Sequence, residues 1–225
     1  MVISEIFHSL QGEGVMAGRP AVFVRLGMCN LQCTFCDTPY TWKEGEQDYS
    51  DEANERVMES IAKHLEEQPR TNLVIWTGGE PMMQQRDIVA AIDYLNQRFA
   101  ERKLLHDVET NGTILAQAEF DKRITHFNCS PKTAMSGNSA YSVRLKDFGK
   151  TTYKYLVGSE NDCKEALTEI ERQKLPRENC FFMVLGTTAK EMEERGPIIA
   201  EICKKEGIAL CLRLQCILWG AIRGV

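Results

Sequence analysis

The sequence predicts an α/β fold in one domain, residues 1–225, with parallel strands curled into a partial barrel. Three observations predict it. Short apolar runs alternate with helical periods along the chain. Several of these runs end directly in polar sequences that carry glycine or proline. The strand–helix unit fits about six times, fewer than the eight units and ~250 residues of a closed eight-stranded barrel. Strands that alternate with helices lie parallel and are joined by right-handed crossovers. In such folds the chemistry collects at the C-terminal ends of the strands.

Ala21–Leu26 reads as a buried strand that runs straight into a cysteine-rich loop. Ser50 is placed to cap a helix over residues 51–67, with Val57, Ile61 and Leu65 on one face. Leu73–Thr77 is a strand that ends in Gly78-Gly79, and Ile88, Ile92, Leu95 and Phe99 mark the next helix. Leu104–Val108 leads into Glu109-Thr110-Asn111-Gly112, and Ile124–Cys129 into Ser130-Pro131-Lys132. Lys154–Val157 precedes a helix over residues 161–173. Phe181–Leu185 precedes another, whose start Thr188-Ala189-Lys190-Glu191 fits a capping box. Leu210–Leu214 is the last strand.

A net charge of -5 argues against a surface that wraps nucleic acid. No apolar run reaches the ~20 residues of a membrane helix, and the N-terminus lacks the basic and apolar regions of a signal peptide. The expected setting is cytoplasmic. Nine cysteines is a high count for such a setting, and an odd number speaks against a disulfide framework. Cys129, Cys163, Cys180, Cys203, Cys211 and Cys216 lie in apolar stretches and read as small buried hydrophobes. His8, His64, His106 and His126 have no ligand spacing and read as structural or surface residues. The run Lys190–Arg195 reads as a solvated helix face.

Cys29, Cys33 and Cys36 form a C-x3-C-x2-C loop. Cubane clusters are ordinarily held by four cysteines, so three thiolates leave one iron of a 4Fe–4S cluster open. That iron can chelate the amino and carboxylate groups of S-adenosylmethionine (SAM). A zinc site ordinarily pairs two short ligand units, and no second unit stands nearby. A redox C-x-x-C made of Cys33 and Cys36 leaves Cys29 unexplained. Beyond this loop the residues alone leave alternatives open. Leu10-Gln11-Gly12-Glu13-Gly14 reads either as a wrap around a flat ligand or as a hairpin-like turn. Arg25 reads as a fork for a carboxylate or ring oxygen, or as a surface arginine. Thr38 reads as a magnesium ligand or as a turn cap before Pro39. Gly79-Glu80-Pro81 reads as a ligand-binding strand end or as a plain turn into a helix.

The cysteine spacing, with aromatic Phe35 just before the last cysteine, resembles the radical SAM signature. Within that superfamily the chain resembles the 7-carboxy-7-deazaguanine synthases. The resemblance is carried by Glu5-Ile6-Phe7, Leu10–Gly14, Ala21–Arg25, Cys36-Asp37-Thr38, Thr41-Trp42 and Thr77–Pro81. It continues in Glu109–Gly112, Ser130-Pro131-Lys132 and Leu218-Trp219-Gly220. One departure stands out: many members have a Gln-Pro pair after a late strand, where this chain reads Met183-Val184-Leu185-Gly186-Thr187.

The resemblance implies an abridged radical SAM partial (β/α)6-type barrel. It implies conversion of 6-carboxy-5,6,7,8-tetrahydropterin to 7-carboxy-7-deazaguanine with loss of ammonia, in the biosynthesis of queuosine. It implies a 4Fe–4S cluster on Cys29, Cys33 and Cys36, and Mg2+ on Thr38. SAM contacts are implied for Phe35, Cys36, Asp37, Gly79, Glu80, Ser130, Pro131 and Lys132. Pterin contacts are implied for Leu10, Gln11, Gly12, Glu13, Arg25, Thr77 and, through its terminal carboxylate, Val225. The apolar run Leu212–Trp219 is expected to dock the last residues on the barrel. A low-potential electron donor such as flavodoxin and a homodimer are likewise implied. A glycyl-radical activase accounts for the cluster but not for Leu10–Gly14, and a cluster-binding electron carrier would not cleave SAM.

Overall fold

The structure, a computed structural model, describes residues 1–138, 142–220 and 222–225. Among the described residues, nine strands form one sheet in the order β3-β1-β2-β4-β5-β6-β7-β8-β9. They are β1 (Val2–Leu10), β2 (Pro20–Leu26), β3 (Ser50–Asp51), β4 (Leu73–Gly78) and β5 (Leu105–Thr110). β6 (His126–Cys129), β7 (Thr151–Val157), β8 (Cys180–Val184) and β9 (Ala209–Cys211) follow. From β2 onward every neighbouring pair is parallel. The helices are α1 (Asn54–Glu67), α2 (Gln85–Arg98), α3 (Ala118–Asp121), α4 (Glu160–Gln173), α5 (Ala189–Glu206) and α6 (Leu214–Trp219). No helix among the described residues is long and apolar enough to cross a membrane.

The strands alternate with a two-residue period, and the two faces have different tasks. Val22, Val24, Val74, Trp76, Val108, Tyr153, Tyr155, Phe182 and Val184 are buried in the main core, together with the apolar faces of the helices. Each such side chain contributes on the order of 1.5–3 kcal/mol when fully buried. The opposite face carries Arg25, Thr77, Glu109, Lys154 and Met183, which line a cavity. Deeper on that face, Ala21, Leu73 and Ile75 pack with Phe23 and Leu105 into a small apolar plug. The two ends of the sheet approach each other through the loop after β1. The Gly14 amide donates to Cys211 Sγ at 3.2 Å, and the Leu214 amide donates to the Gly12 carbonyl at 3.0 Å. The sheet is therefore curled, and the loop after β1 bridges to the segment after β9.

Three elements depart from the sequence reading. β1 pairs antiparallel with β2 and lay outside the strand–helix alternation. Ser50 caps no helix: Ser50 and Asp51 pair with Ile3 and Val2, and α1 begins at Asn54 after an Ala53 without a side-chain cap. The last strand stops at Cys211, and Leu214–Trp219 turns into α6. The capping at α5 is present, with Thr188 Oγ1 accepting from the Glu191 amide at 3.3 Å. Glu191 reaches one residue further back than a capping box requires, to the Thr187 amide at 2.8 Å.

Candidate active site

The cysteine loop leaves the end of β2 through Met28, which sits at φ 69 in the left-handed region. That is an uncommon state for a residue with a side chain, and it swings the chain back over the strand ends. The turn after β4 supports it. The Gly79 amide donates to the Leu26 carbonyl at 2.9 Å, and the Glu80 amide to the Met28 carbonyl at 2.8 Å. A Cβ on Gly79 would lie 1.8 Å from the Met28 oxygen, so only glycine permits this contact. Glu80 is fully buried behind the turn. Its carboxylate accepts from Thr110 Oγ1 at 2.6 Å, the Asn111 amide at 2.7 Å and the Met82 amide at 3.0 Å. Burial pushes this carboxyl upward in pKa, and those hydrogen bonds pull against it.

Cys29, Cys33 and Cys36 are half-buried and face one cavity of about 650 Å³. Each sulfur accepts a hydrogen bond from nitrogen. The Leu31 amide reaches Cys29 at 3.5 Å, Asn138 Nδ2 reaches Cys33 at 3.2 Å, and Trp42 Nε1 reaches Cys36 at 3.2 Å. Burial pushes the Cys29 thiol up to about 11 and raises Cys33 as well. Thiolates here need a strong positive partner. Such N–H···S bonds are among the features that tune iron–sulfur clusters. The donor set thus fits a cluster bound through these three residues. The other six cysteines are buried.

Thr38 lines the same cavity, with its Oγ1 at 3.7 Å from Cys36 Sγ. Its side chain does not cap the turn Pro39–Thr41; its carbonyl accepts the Thr41 hydroxyl instead, at 2.8 Å. Phe35, Asp37, Gly79, Ser130 and Lys132 also line the cavity, and Lys132 Nζ donates to Ser130 Oγ at 2.7 Å. Two residues expected to touch SAM stand back from the wall, Glu80 and Pro131. Glu80 is withdrawn because its oxygens hold the β5 end, and Pro131 is itself buried.

The expected pterin contacts Leu10, Gln11, Gly12, Glu13, Arg25, Thr77 and Val225 all line the cavity. Glu13 Oε1 accepts from Arg213 Nε at 3.1 Å and Gln215 Nε2 at 2.8 Å, and Oε2 accepts from Lys154 Nζ. Lys154 also donates to Glu109 Oε2 at 2.9 Å. Burial works against ionised Glu13, but Lys154 and Arg213 overcome it and hold the carboxyl well below the usual range. Arg213 continues to Asp37 and to the Gly186 carbonyl. Among the described residues, Ser9 Oγ and Gln215 Oε1 are buried without a hydrogen-bond partner, and both residues line the cavity. Arg25 Nε donates to Glu5 Oε1 at 2.6 Å. Arg223 Nε donates to Glu5 Oε2 at 3.0 Å, which holds the last residues beside Arg25.

Sequence reasoning missed Lys154, Arg213, Gln215 and Trp42 as members of this wall, and Asn138 as the donor to Cys33. A signal existed for the first: a lysine inside the apolar strand Thr151–Val157 needs a buried partner. Glu191 and Arg195, read as a solvated face, also reach the cavity wall, because α5 starts beside the β8 end.

A curled, mostly parallel sheet with three cysteines over its strand ends defines a radical SAM protein. The Radical SAM superfamily model matches residues 24–195. A 7-carboxy-7-deazaguanine synthase of Pyrobaculum aerophilum is 32% identical over 99% of this chain and 96% of its own length. One of Halobacterium salinarum is 31% identical over 96% of this chain and 90% of its own length. The crystal structure of QueE from Escherichia coli shares the fold at TM-score 0.69 and 22% identity, covering 95% of this chain and 93% of that one. The chain belongs to the 7-carboxy-7-deazaguanine synthase family.

Proposed function

We propose that this protein is a radical SAM lyase that converts 6-carboxy-5,6,7,8-tetrahydropterin to 7-carboxy-7-deazaguanine with loss of ammonia, in queuosine biosynthesis. One observation carries the reading beyond family membership. The three half-buried sulfurs and the carboxylates of Glu13 and Glu109 line a single cavity. A pterin offers an amino group and ring N–H donors, which suit the ionised Glu13 and the acceptors Ser9 Oγ and Gln215 Oε1; burial raises the neighbouring Glu109, and Lys154 pulls it back toward the carboxylate. A cavity near 650 Å³ is within the range of small-molecule sites.

When bound, the cluster supplies the electron that breaks a carbon–sulfur bond of SAM and so starts radical chemistry. The chain's own residues bind, orient and exclude water. Cys29, Cys33 and Cys36 hold the cluster. Phe35, Asp37, Gly79, Ser130 and Lys132 form the SAM wall, and Glu80 and Pro131 shape it from behind. Gln11, Gly12, Glu13, Arg25 and Thr77 receive the pterin, with Leu10 and Val225 at its edge. Thr38 would hold Mg2+, a hard cation that would help orient the substrate carboxylate. Residues 1–225 act as one domain, which the single continuous sheet supports. A cytoplasmic setting, a flavodoxin-like donor and a homodimer rest on family membership.

The test is anaerobic turnover of the carboxytetrahydropterin with SAM, Mg2+ and dithionite, with the product identified by mass. SAM cleavage without 7-carboxy-7-deazaguanine rejects the substrate. Thr38→Ala is expected to keep its iron, turn over about tenfold more slowly and lose most of the response to added Mg2+. A parent-like response removes Thr38 as the ligand.

A further inference from the structure

Lys154 lies on β7, is 2% exposed, and projects toward the cavity while its neighbours Tyr153 and Tyr155 are buried in the core on the other face. A lysine in that position loses its hydration, which is costly unless anions replace it. Two do. The ammonium bonds Oε2 of Glu13 and, at 2.9 Å, Oε2 of Glu109. The far oxygens of the two carboxylates are held separately. Glu13 Oε1 faces Arg213 and Gln215. Glu109 Oε1 accepts from Gln11 Nε2 at 2.9 Å and Asn128 Nδ2 at 2.7 Å. Glu13 thus has a second cation, Arg213, whereas Lys154 is the cation that bonds both carboxylates.

Two buried carboxylates this close to one ammonium depend on it. Without it, like charges meet in a low-dielectric space, and they either share a proton or move apart. Sharing a proton turns one acceptor into a donor, which then opposes the N–H edge of a pterin. Moving apart shifts Glu13, whose loop closes the sheet against Leu214.

We propose that Lys154 is a positioning residue for the pterin: it clamps Glu13 and Glu109 as a pair of acceptors and acts on the substrate through them. This rests on the pterin reading above. The structure gives the clamp a specific signature, because removing the lysine should be partly cured by removing one of the two anions it serves.

The experiment is equilibrium binding of 6-carboxypterin, followed by its fluorescence, to reconstituted protein with SAM present. Lys154→Met, with its iron content checked, is expected to raise Kd at least tenfold. The double variant Lys154→Met/Glu109→Gln is expected to bind at least threefold more tightly than the single one, because Arg213 still neutralises Glu13. A side chain that merely fills space gives no such recovery. If Lys154→Met does not fold, the double variant carries the test: folding with Kd within tenfold of the parent supports the clamp, and failure to fold overturns it. Parent-like Kd in Lys154→Met, or a double variant no tighter than the single, also overturns it. If the parent itself binds no carboxypterin, the pterin reading falls and the clamp falls with it, which separates that failure from the others.

Discussion

The cysteine loop and the polar floor share one cavity but are built in opposite ways. The loop takes its three sulfurs from eight consecutive residues, and each sulfur is half-buried. The floor takes Glu13, Glu109, Lys154 and Arg213 from four separate parts of the chain. Its bonds span 141 residues for Lys154 to Glu13, 45 for Lys154 to Glu109 and 200 for Arg213 to Glu13. The loop's sulfurs gain their role from an added group, since burial, helped by the nearby Glu80, Cys33 and Cys36, pushes the Cys29 thiol up to about 11. The floor's charges satisfy one another within the protein. The spacing of the sulfurs is therefore written locally, although Gly79, Glu80 and Asn138 hold the loop from afar, whereas the floor's charges are brought together only by the curled sheet.

The largest effect separates the two regions outright. Cys33→Ala is expected to lose nearly all of about four irons per chain, together with SAM cleavage, in anaerobic iron and product assays. Cys163→Ala, in α4 and away from the cavity, is expected to keep both. A brown, fully loaded Cys33→Ala protein would sink the cluster assignment.

The next effect belongs to the floor and titrates. Glu13 ionises well below its ordinary 4.5, because Lys154 and Arg213 outweigh burial. The unfolded chain therefore takes up the proton first as acid is added. The stability contributed by Glu13 is complete above pH 4.5 and is lost as the pH falls toward the folded value. Urea unfolding of cluster-free protein is expected to show a flatter decline below pH 4.5 in Glu13→Gln than in the parent, from a lower starting stability. Parallel declines would mean that the floor is not the acid-sensitive region.

The smallest effect lies at the rim. Arg223 is 40% exposed on its side chain and bonds Glu5 and Asp48 while lying 4.0 Å over the Tyr40 ring. Exposed pairs contribute roughly 0–1 kcal/mol, so Arg223→Ala is expected to raise the pterin KM by less than about fivefold. A change of fiftyfold would place the rim on a par with the floor and erase the contrast.

The same contrast explains what the sequence revealed. β2 and the strands from β4 to β8 were legible because one face packs under helices and leaves an apolar signature. β1 was not, because its residues are mostly only partly buried and its partner lies in an antiparallel pair. Ser50 misled because a serine before a helical period looks the same whether it caps a helix or joins a strand. The cysteine loop was legible because spacing is written in consecutive residues. Lys154 and Arg213 were not, because a buried ion pair between distant segments has no local pattern. Glu80 was recognised, but nothing local in the sequence shows that its oxygens also brace the β5 end.

The apolar plug of Ala21, Leu73 and Ile75 has a consequence for where water can stand. These residues lie toward the starts of β2 and β4, and the cysteine loop leaves the opposite end of β2. One row of side chains on β2 therefore runs from Ala21 through Phe23 to Arg25, from a dry foot to a charged lip. A polar side chain at Leu73 would bury an unpaired group among apolar neighbours. The gradient from grease to charge along a single strand sets the level below which the fold offers a polar molecule no partner.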